Sequence, residues 1–317
     1  MIALNTGDAR VSEAEEAPMH LVRSVDWEAA VAPAGAEGHA EGYRRAVLVD
    51  RELGATHTQL EIHRLAPGGW VEGHVHAFET AVYVLAGAPI LGLDGRRYQL
   101  GAADYALVPL GYRHSWSNPG PDEVRWLSVS SPVRIPASEG RRDTFYLPGP
   151  DDARHGPGER PPGAPLGRFF GHYPGTPPQA QALDLVEPPE RRTPAGMDTA
   201  LLVYSGISVK MLVDRGLGAD LLTMFTVDYE PGGAALVHDH PFEEAYFFLA
   251  GEIEAVLEGR TYTVRAGDVV FTSVGAPHGF FNRGTGRVRW IETQAPQPPV
   301  RHSYRWLDHW RKLEVGA

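Results

Sequence analysis

The stretch GGAALVHDHPFEEAYFFLAG, Gly232 to Gly251, decides the reading of this chain, because it occurs twice. Its earlier copy, GGWVEGHVHAFETAVYVLAG, runs from Gly68 to Gly87 at an offset of 164 residues. The offset holds on both sides. VLVDRELGA at Val47 to Ala55 matches MLVDRGLGA at Met211 to Ala219, and LDGRRY at Leu93 to Tyr98 matches LEGRTY at Leu257 to Tyr262. Val124-Arg125-Trp126 returns as Val288-Arg289-Trp290. A register without insertion or deletion predicts two copies with the same strands and the same turns, so that equivalent positions occupy equivalent places.

Within each copy the signal is strand. Runs such as Leu221 to Val227 and Thr261 to Val264 are rich in β-branched and aromatic residues. Asp94-Gly95 and Glu258-Gly259 separate such runs and read as hairpin turns. Many short strands with evenly spaced turns predict an all-β protein of two tandem jelly-roll-type barrels. The expected organisation is an N-terminal extension over 1–46, packed loosely on the first barrel, and a first barrel over 47–132. A Pro- and Gly-rich connection with a leading strand follows over 133–210, then a second barrel over 211–296 and a tail over 297–317. Phe169, Phe170 and Tyr173 are expected to pin the connection to a surface, and His302 to Leu313 to form a short amphipathic helix.

Composition narrows the function classes. The chain has 317 residues, 43% of them apolar and 22% charged, as in ordinary globular proteins. No apolar run approaches the roughly 18 residues of a membrane span, and the acidic start of the chain does not resemble a signal peptide, so a cytoplasmic protein is expected. A net charge of −11 argues against nucleic acid and anionic membranes as partners. With no cysteine, disulfides, thiolate metal sites and cysteine nucleophiles are excluded. An anionic substrate would need a local arginine, for which Arg113, Arg260 and Arg289 stand near the motifs.

The two copies differ where chemistry is expected. On a strand, His238 and His240 face the same way, and Pro241 ends that strand. Glu244 shares a face with Tyr246 and Phe248 on the next run, and His278 opens a third segment beside Phe280 and Asn282. If that face is the barrel interior, three imidazoles and a carboxylate converge in a pocket walled by Tyr246, Phe248 and Phe280. Such an enclosure is costly without a cation. The first copy keeps His74, His76 and His114, but Thr80 stands in place of Glu244. Glu79 should point to the opposite side and is not a replacement ligand.

These residues resemble the cupin superfamily. Its first motif, a glycine, five residues, His-x-His, a glutamate and a second glycine, is matched by Gly232, His238, His240, Glu244 and Gly251. Its second motif is matched by Gly267, Gly275, His278 and Asn282, with Ser273 in place of the proline. The resemblance implies a two-barrel, metal-dependent protein with one divalent transition metal on His238, His240, Glu244 and His278. Three nitrogens and one oxygen suit iron or manganese first, with nickel, cobalt and zinc as alternatives. A second ion on His74, His76 and His114 has a precedent in gentisate-dioxygenase-like relatives; the alternative is a vestigial first barrel kept for packing.

The implied function is a dioxygenase acting on a small chelating substrate at the second barrel. Glu244 and Tyr246 are the expected catalytic groups, and Tyr246, Phe248, Phe280, Glu292 and Gln294 the expected substrate contacts. The alternatives are a non-oxidative hydrolase, decarboxylase or isomerase, and a non-catalytic binding or scaffold barrel. Oxalate-decarboxylase-like, ureidoglycine-aminohydrolase-like and quercetinase-like patterns each depart from this ligand order or spacing. Exposed sheet edges in duplicated barrels predict a homodimer.

Overall fold

A computed structural model describes residues 18–135, 142–147, 157–161, 169–173, 204–298 and 305–306. Two strands precede the first motif copy, β1 (His20–Ser24) and β2 (Ala40–Val49). The first barrel continues through β3 (Gln59–His76), β4 (Glu79–Ala86), β5 (Ile90–Leu93), β6 (Arg96–Gln99), β7 (Asp104–Val108), β8 (His114–Ser117) and β9 (Val124–Ser131). The connection contributes β10 (Thr144–Tyr146) and β11 (Phe170–His172). The second barrel comprises β12 (Tyr204–Val213), β13 (Thr223–Asp239), β14 (Glu243–Ala250), β15 (Glu252–Leu257), β16 (Arg260–Arg265), β17 (Asp268–Thr272), β18 (His278–Phe281) and β19 (Val288–Ala295), with β20 (Arg305–Trp306) after it.

The sheets run β11-β7-β4-β9-β3-β8-β5-β6 and β1-β17-β14-β19-β13-β18-β15-β16, the same order in both copies apart from the first strand of each. All these pairings are antiparallel. The hairpin expectation is met, with positive φ at Asp94, Gly95, Glu258 and Gly259 as a tight two-residue turn requires. Each barrel is spanned by one long strand, β3 or β13, which pairs with β9 or β19 in its first half and β8 or β18 in its second. At Gly69 a Cβ would lie 2.8 Å from the Ala66 carbonyl oxygen, so the middle of β3 needs a residue without a side chain.

Two boundaries differ from expectation. The repeat extends back to Ala40, because β2 pairs along β3 as β12 does along β13, with Gly42 and Gly206 at equivalent bulges. The extension thus supplies a strand of the first barrel and is not a loose cover. Its β1 joins β17 of the second barrel, while β11 of the connection joins β7 of the first. Phe169, Phe170 and Tyr173 are buried there as expected. At the tail, Arg305 and Trp306 pair with β13, so the expected helix is a strand at these residues; the rest of 302–313 lies outside the described residues. Among the described residues no helix is long and apolar enough to cross a membrane.

Both faces of β14 are buried, which explains its unbroken apolar run. Tyr246 and Phe248 face the second barrel's own core, whereas Ala245 and Phe247 join a core shared with Leu107, Leu127 and Val129 of the first. Glu243 and Glu79 lie on that interface side and lock the barrels reciprocally. Glu243 accepts hydrogen bonds from the Thr56, His57 and Thr58 amides and the Thr56 hydroxyl, at 2.6 to 2.9 Å. Glu79 accepts from the Asp220, Leu221 and Leu222 amides at 2.8 to 3.2 Å. Each carboxylate is nearly fully buried, and its loss would leave the buried Thr58 and Leu222 amides without their partners. Glu243→Ala should therefore cost about 3 kcal/mol or more in a urea melt, since charged-acceptor hydrogen bonds are each worth about 1.5–3 kcal/mol. A loss below about 1 kcal/mol would show that the lock does not hold the barrels.

Candidate functional site

In the second barrel the expected ligands converge. His238 is the penultimate residue of β13, His240 follows that strand, Glu244 is the second residue of β14 and His278 starts β18, with His238 directly opposite His278 in the register. The three imidazoles can each offer a nitrogen within 4.8 Å of the others. Glu244 Oε2 lies 2.8 Å from His240 Nε2 and 3.2 Å from His278 Nε2. Those separations match ligand-to-ligand edges of about 3 Å around an ion with bonds of roughly 2.1 Å at right angles.

The second-barrel donors are aimed by bonds from their far sides. His238, His240 and His278 each place Nδ1 against a backbone carbonyl, Leu236, Phe242 and Ala276 respectively, at 2.7 to 2.9 Å. This leaves Nε2 for the centre. The buried His278 Nε2 has no hydrogen-bond geometry to any acceptor although Glu244 is 3.2 Å away, as expected of two ligands of one ion. Burial and the neighbouring rings hold His238 well below the usual imidazole range, so it is neutral. Burial alone would raise the Glu244 carboxyl, but His240 and His278 hold it well below the carboxylate range. The residues present fit a divalent ion.

The surroundings correct the expected substrate pocket. Tyr246 and Glu292 line the space beside the ligands with Phe280 and Trp290, but the remaining cavity is about 20 Å³, enough for an ion or a water. Phe248 packs behind them, 5.0 Å from Trp290, and Phe280 lies 5.0 Å from Tyr246. The aromatic rings fill most of the barrel, and the cavity that Tyr246, Phe280 and Trp290 line is small. The Tyr246 hydroxyl donates to Glu244 Oε2, and Gln294 Nε2 donates to Glu244 Oε1 at 2.6 Å. Gln294 therefore orients the carboxylate. Glu292 accepts from Trp290 Nε1, and its carboxyl is raised well above the usual range by burial and by the Glu244 charge, which keeps it neutral.

The first barrel has the opposite character. His74, His76 and His114 again form a cluster with nitrogens within 4.8 Å of one another. His74 and His114 place Nδ1 on the Glu72 and Tyr112 carbonyls, while the equivalent Nδ1 of His76 has no hydrogen-bond partner among the described residues. Burial and the neighbouring imidazoles hold His76 and His114 well below the usual range, so both offer neutral nitrogens. Thr80, where Glu244 would stand, is 3.3 Å from Ser130, where Gln294 would stand. Beside them opens a cavity of about 1170 Å³ lined by His76, His114, Thr80, Trp116 and Trp126, among others.

Much of that lining is polar and was not among the expected site residues. Glu61 is buried and accepts from Arg45 at 2.5 Å, Gln59 at 2.9 Å and Arg134 at 3.2 Å. His63 lies parallel to Trp126 at 4.9 Å, and Tyr43 lies beside both, 5.9 Å from His63 and 6.0 Å from Trp126. The signal lay in the repeat: Tyr43, Arg45, Glu61 and His63 stand where the second copy has Ile207, Val209, Phe225 and Val227. Two of these lie before residue 47, outside the boundary drawn for the first barrel. The arginines expected near the motifs are occupied elsewhere or face outward. Arg289 pairs with Asp228 at 2.7 Å, Arg113 donates to the Leu147 carbonyl, and Arg260 is exposed.

A family model for the cupin domain matches the chain twice, over residues 61–130 and 225–293. The polyketide synthase CurC of Streptomyces cyaneus is 32% identical over 104 residues, covering 32% of this chain and 68% of that protein. Among solved structures, salicylate 1,2-dioxygenase from Pseudoaminobacter salicylatoxidans, with gentisate adducts, is similar with a TM-score of 0.63 and 16% identity. That match covers 90% of this chain and 83% of the dioxygenase. Oxalate decarboxylase from Bacillus subtilis matches with a TM-score of 0.54 and 19% identity, over 84% of this chain and 74% of the other. At these identities the structural likenesses establish the fold.

Two predictions follow from the geometry. Gln294→Leu should weaken metal retention at the second barrel about 10- to 100-fold in a chelator competition, the usual effect of losing a group that orients a ligand, and leave the first barrel unchanged. The second concerns His63, which burial pushes down to about 4. The unfolded chain takes up the proton near pH 6.5 while the folded chain refuses it until about pH 4, so stability present at neutral pH is lost as pH falls across that window. His63→Gln should remove about 3 kcal/mol of that acid-side loss in denaturant melts at pH 7 and pH 4. An unchanged difference between the two melts would place the loss on other groups.

Proposed function

The chain belongs to the cupin family and holds two of its barrels, and from that premise we propose a metal-dependent enzyme that acts on a small chelating molecule in the first barrel. The carrying observation is the chamber of about 1170 Å³ beside His76 and His114, against about 20 Å³ beside the four donors of the second barrel. Substrate access thus favours the three-histidine site, and the expected location at the second barrel is replaced. The second site, closed and charge-compensated by Glu244, is assigned to a structural ion.

His74, His76 and His114 would hold a divalent ion through three imidazole nitrogens, a set that leaves room for a substrate bound through two oxygens. Such an ion supplies Lewis acidity and, if iron or manganese, a path for electrons between substrate and dioxygen. Thr80 and Ser130 are small where the second barrel has Glu244 and Gln294, and so leave that space open. Trp116 and Trp126, stacked at 4.7 Å, offer an apolar surface for the body of the substrate. The network of Glu61, Arg45 and Arg134 supplies fixed polar groups for orientation.

A substrate with two oxygen functions in chelating relation suits this site, as in an ortho-hydroxy aromatic acid or a β-diketone. The names of the CurC and Streptomyces glaucescens TcmJ relatives refer to polyketide synthesis, and polyketide chains carry such paired oxygens. We favour oxidative chemistry on such a substrate; the non-oxidative reading keeps the same site with the ion as Lewis acid only. Turnover of ortho-hydroxy aromatic acids and β-diketones should consume dioxygen and fall at least 100-fold in His76→Ala and His114→Ala, with about one ion per chain retained. His278→Ala should lose the other ion and keep most activity if it folds. The reverse pattern would return the active site to the second barrel, and full turnover without oxygen would select the non-oxidative class.

A further inference from the structure

Resting on the first-barrel reading, we infer that Tyr43, His63 and Ser128 form a proton relay that carries the hydroxyl proton of the substrate from its binding place to water elsewhere in the chamber. All three line the chamber, and they form one chain: Tyr43 Oη to His63 Nδ1 at 2.8 Å, and His63 Nε2 to Ser128 Oγ at 2.6 Å. Ser128 lies two residues from Ser130 on β9, opposite Val82, and so faces the chamber on the same side as the Thr80–Ser130 pair. Packing alone does not call for this arrangement. The equivalent positions of Tyr43 and His63 in the second barrel are Ile207 and Val227, which fill a core without the cost of burying polar groups.

The chain of bonds has two states. With the proton on Nδ1, His63 donates to Tyr43 and accepts from Ser128, whose oxygen lone pairs can receive a proton. With the proton on Nε2, His63 donates to Ser128 and accepts from Tyr43. Passing from the first state to the second moves one proton across the relay. The substrate O–H bond breaks and its proton joins Ser128 Oγ; the Ser128 proton joins His63 Nε2; the proton on Nδ1 joins the Tyr43 oxygen; the former Tyr43 proton leaves to water in the chamber. The substrate oxygen keeps the electron pair, and nothing is oxidised or reduced. The imidazole carries no net charge before or after, which suits a buried ring packed on Trp126. Two charged groups act on it from neighbouring positions, Glu61 at 4.0 Å, which favours a charged ring, and Arg45, which opposes one. His63 and Tyr43 act through Ser128 and are positioning residues; Ser128 is the contact with substrate.

The test uses the full chain loaded with iron(II) under anaerobic conditions and 4-nitrocatechol as the probe, whose visible absorption reports its ionisation. Stopped-flow mixing should show ionisation of the bound probe slowed at least tenfold in His63→Phe and in Ser128→Ala, with Kd within threefold of the wild type. Ser128→Thr, which keeps the hydroxyl, should restore the rate. Tyr43→Phe, a single-oxygen change that preserves the stack, should slow ionisation at least fivefold and serves if His63→Phe does not fold. Rates within twofold of the wild type in the folded variants, with the probe still bound, would overturn the relay and leave the chamber reading intact. Probe binding unaffected by His76→Ala would instead overturn the chamber reading and the relay with it.

Discussion

Two buried carboxylates one residue away from the barrel interiors hold this molecule together. Glu79 and Glu243 face outward from β4 and β14 and each accepts the amides at the start of the other barrel's long strand. Because side chains alternate along a strand, the next residue must face inward. That residue is Thr80 in the first barrel and Glu244 in the second. The same backbone placement that locks the interface therefore sets the position of the group that completes, or fails to complete, each histidine cluster. The segments held by the locks lead directly into Gln59 and Thr223, and so into the two interiors.

From that common frame the interiors diverge through a few inward positions. In the second barrel, Phe225, Val227, Tyr246, Phe248, Phe280 and Trp290 are all nearly fully buried and pack as an ordinary core. The candidate metal donors are the polar remainder. In the first, the same strands carry Glu61, His63, Val82, Val84 and Trp116. Smaller or polar side chains leave the space open, and the polar ones are paired with one another, since each would otherwise carry an uncompensated burial cost. A fuller ligand set thus sits in a closed barrel and a leaner one beside a chamber. Completeness of the histidine and carboxylate cluster and open volume beside it are separate properties, and in this chain they fall on different copies.

The asparagines of the second motif illustrate how a site-like signature can be structural. Asn282 Nδ2 donates to the Tyr229, Glu230 and Gly286 carbonyls, and Asn118 makes the equivalent bonds to Leu65, Ala66 and Asp122. Both hold the loop between the last two strands against the bend of the long strand. They lie four residues after His278 and His114 and keep those histidines in register with β13 and β3 without touching a metal. Exchange of β1 and β11 between the sheets adds a further tie between the copies.

The sequence by itself determined the all-β class, the duplication, the hairpin turns and both histidine clusters, because these depend on spacing and strand alternation, which are local. It also determined that Glu79 points away from the site, by the same alternation. Cavity volume was decided only in the tertiary structure. It depends on the summed size of side chains from six or more strands, and no motif records that sum. Tyr246 and Phe280 do line the space beside the donors, but Phe225, Tyr229 and Trp290 facing them leave it at about 20 Å³. The chamber residues Tyr43 and Arg45 were missed because the copies have diverged in β2, where Ala40 to Ala46 share little with Tyr204 to Lys210 beyond one glycine. Strand pairing along β3 identifies them as part of the barrel, and pairing between distant segments is a property of the fold and not of the local sequence.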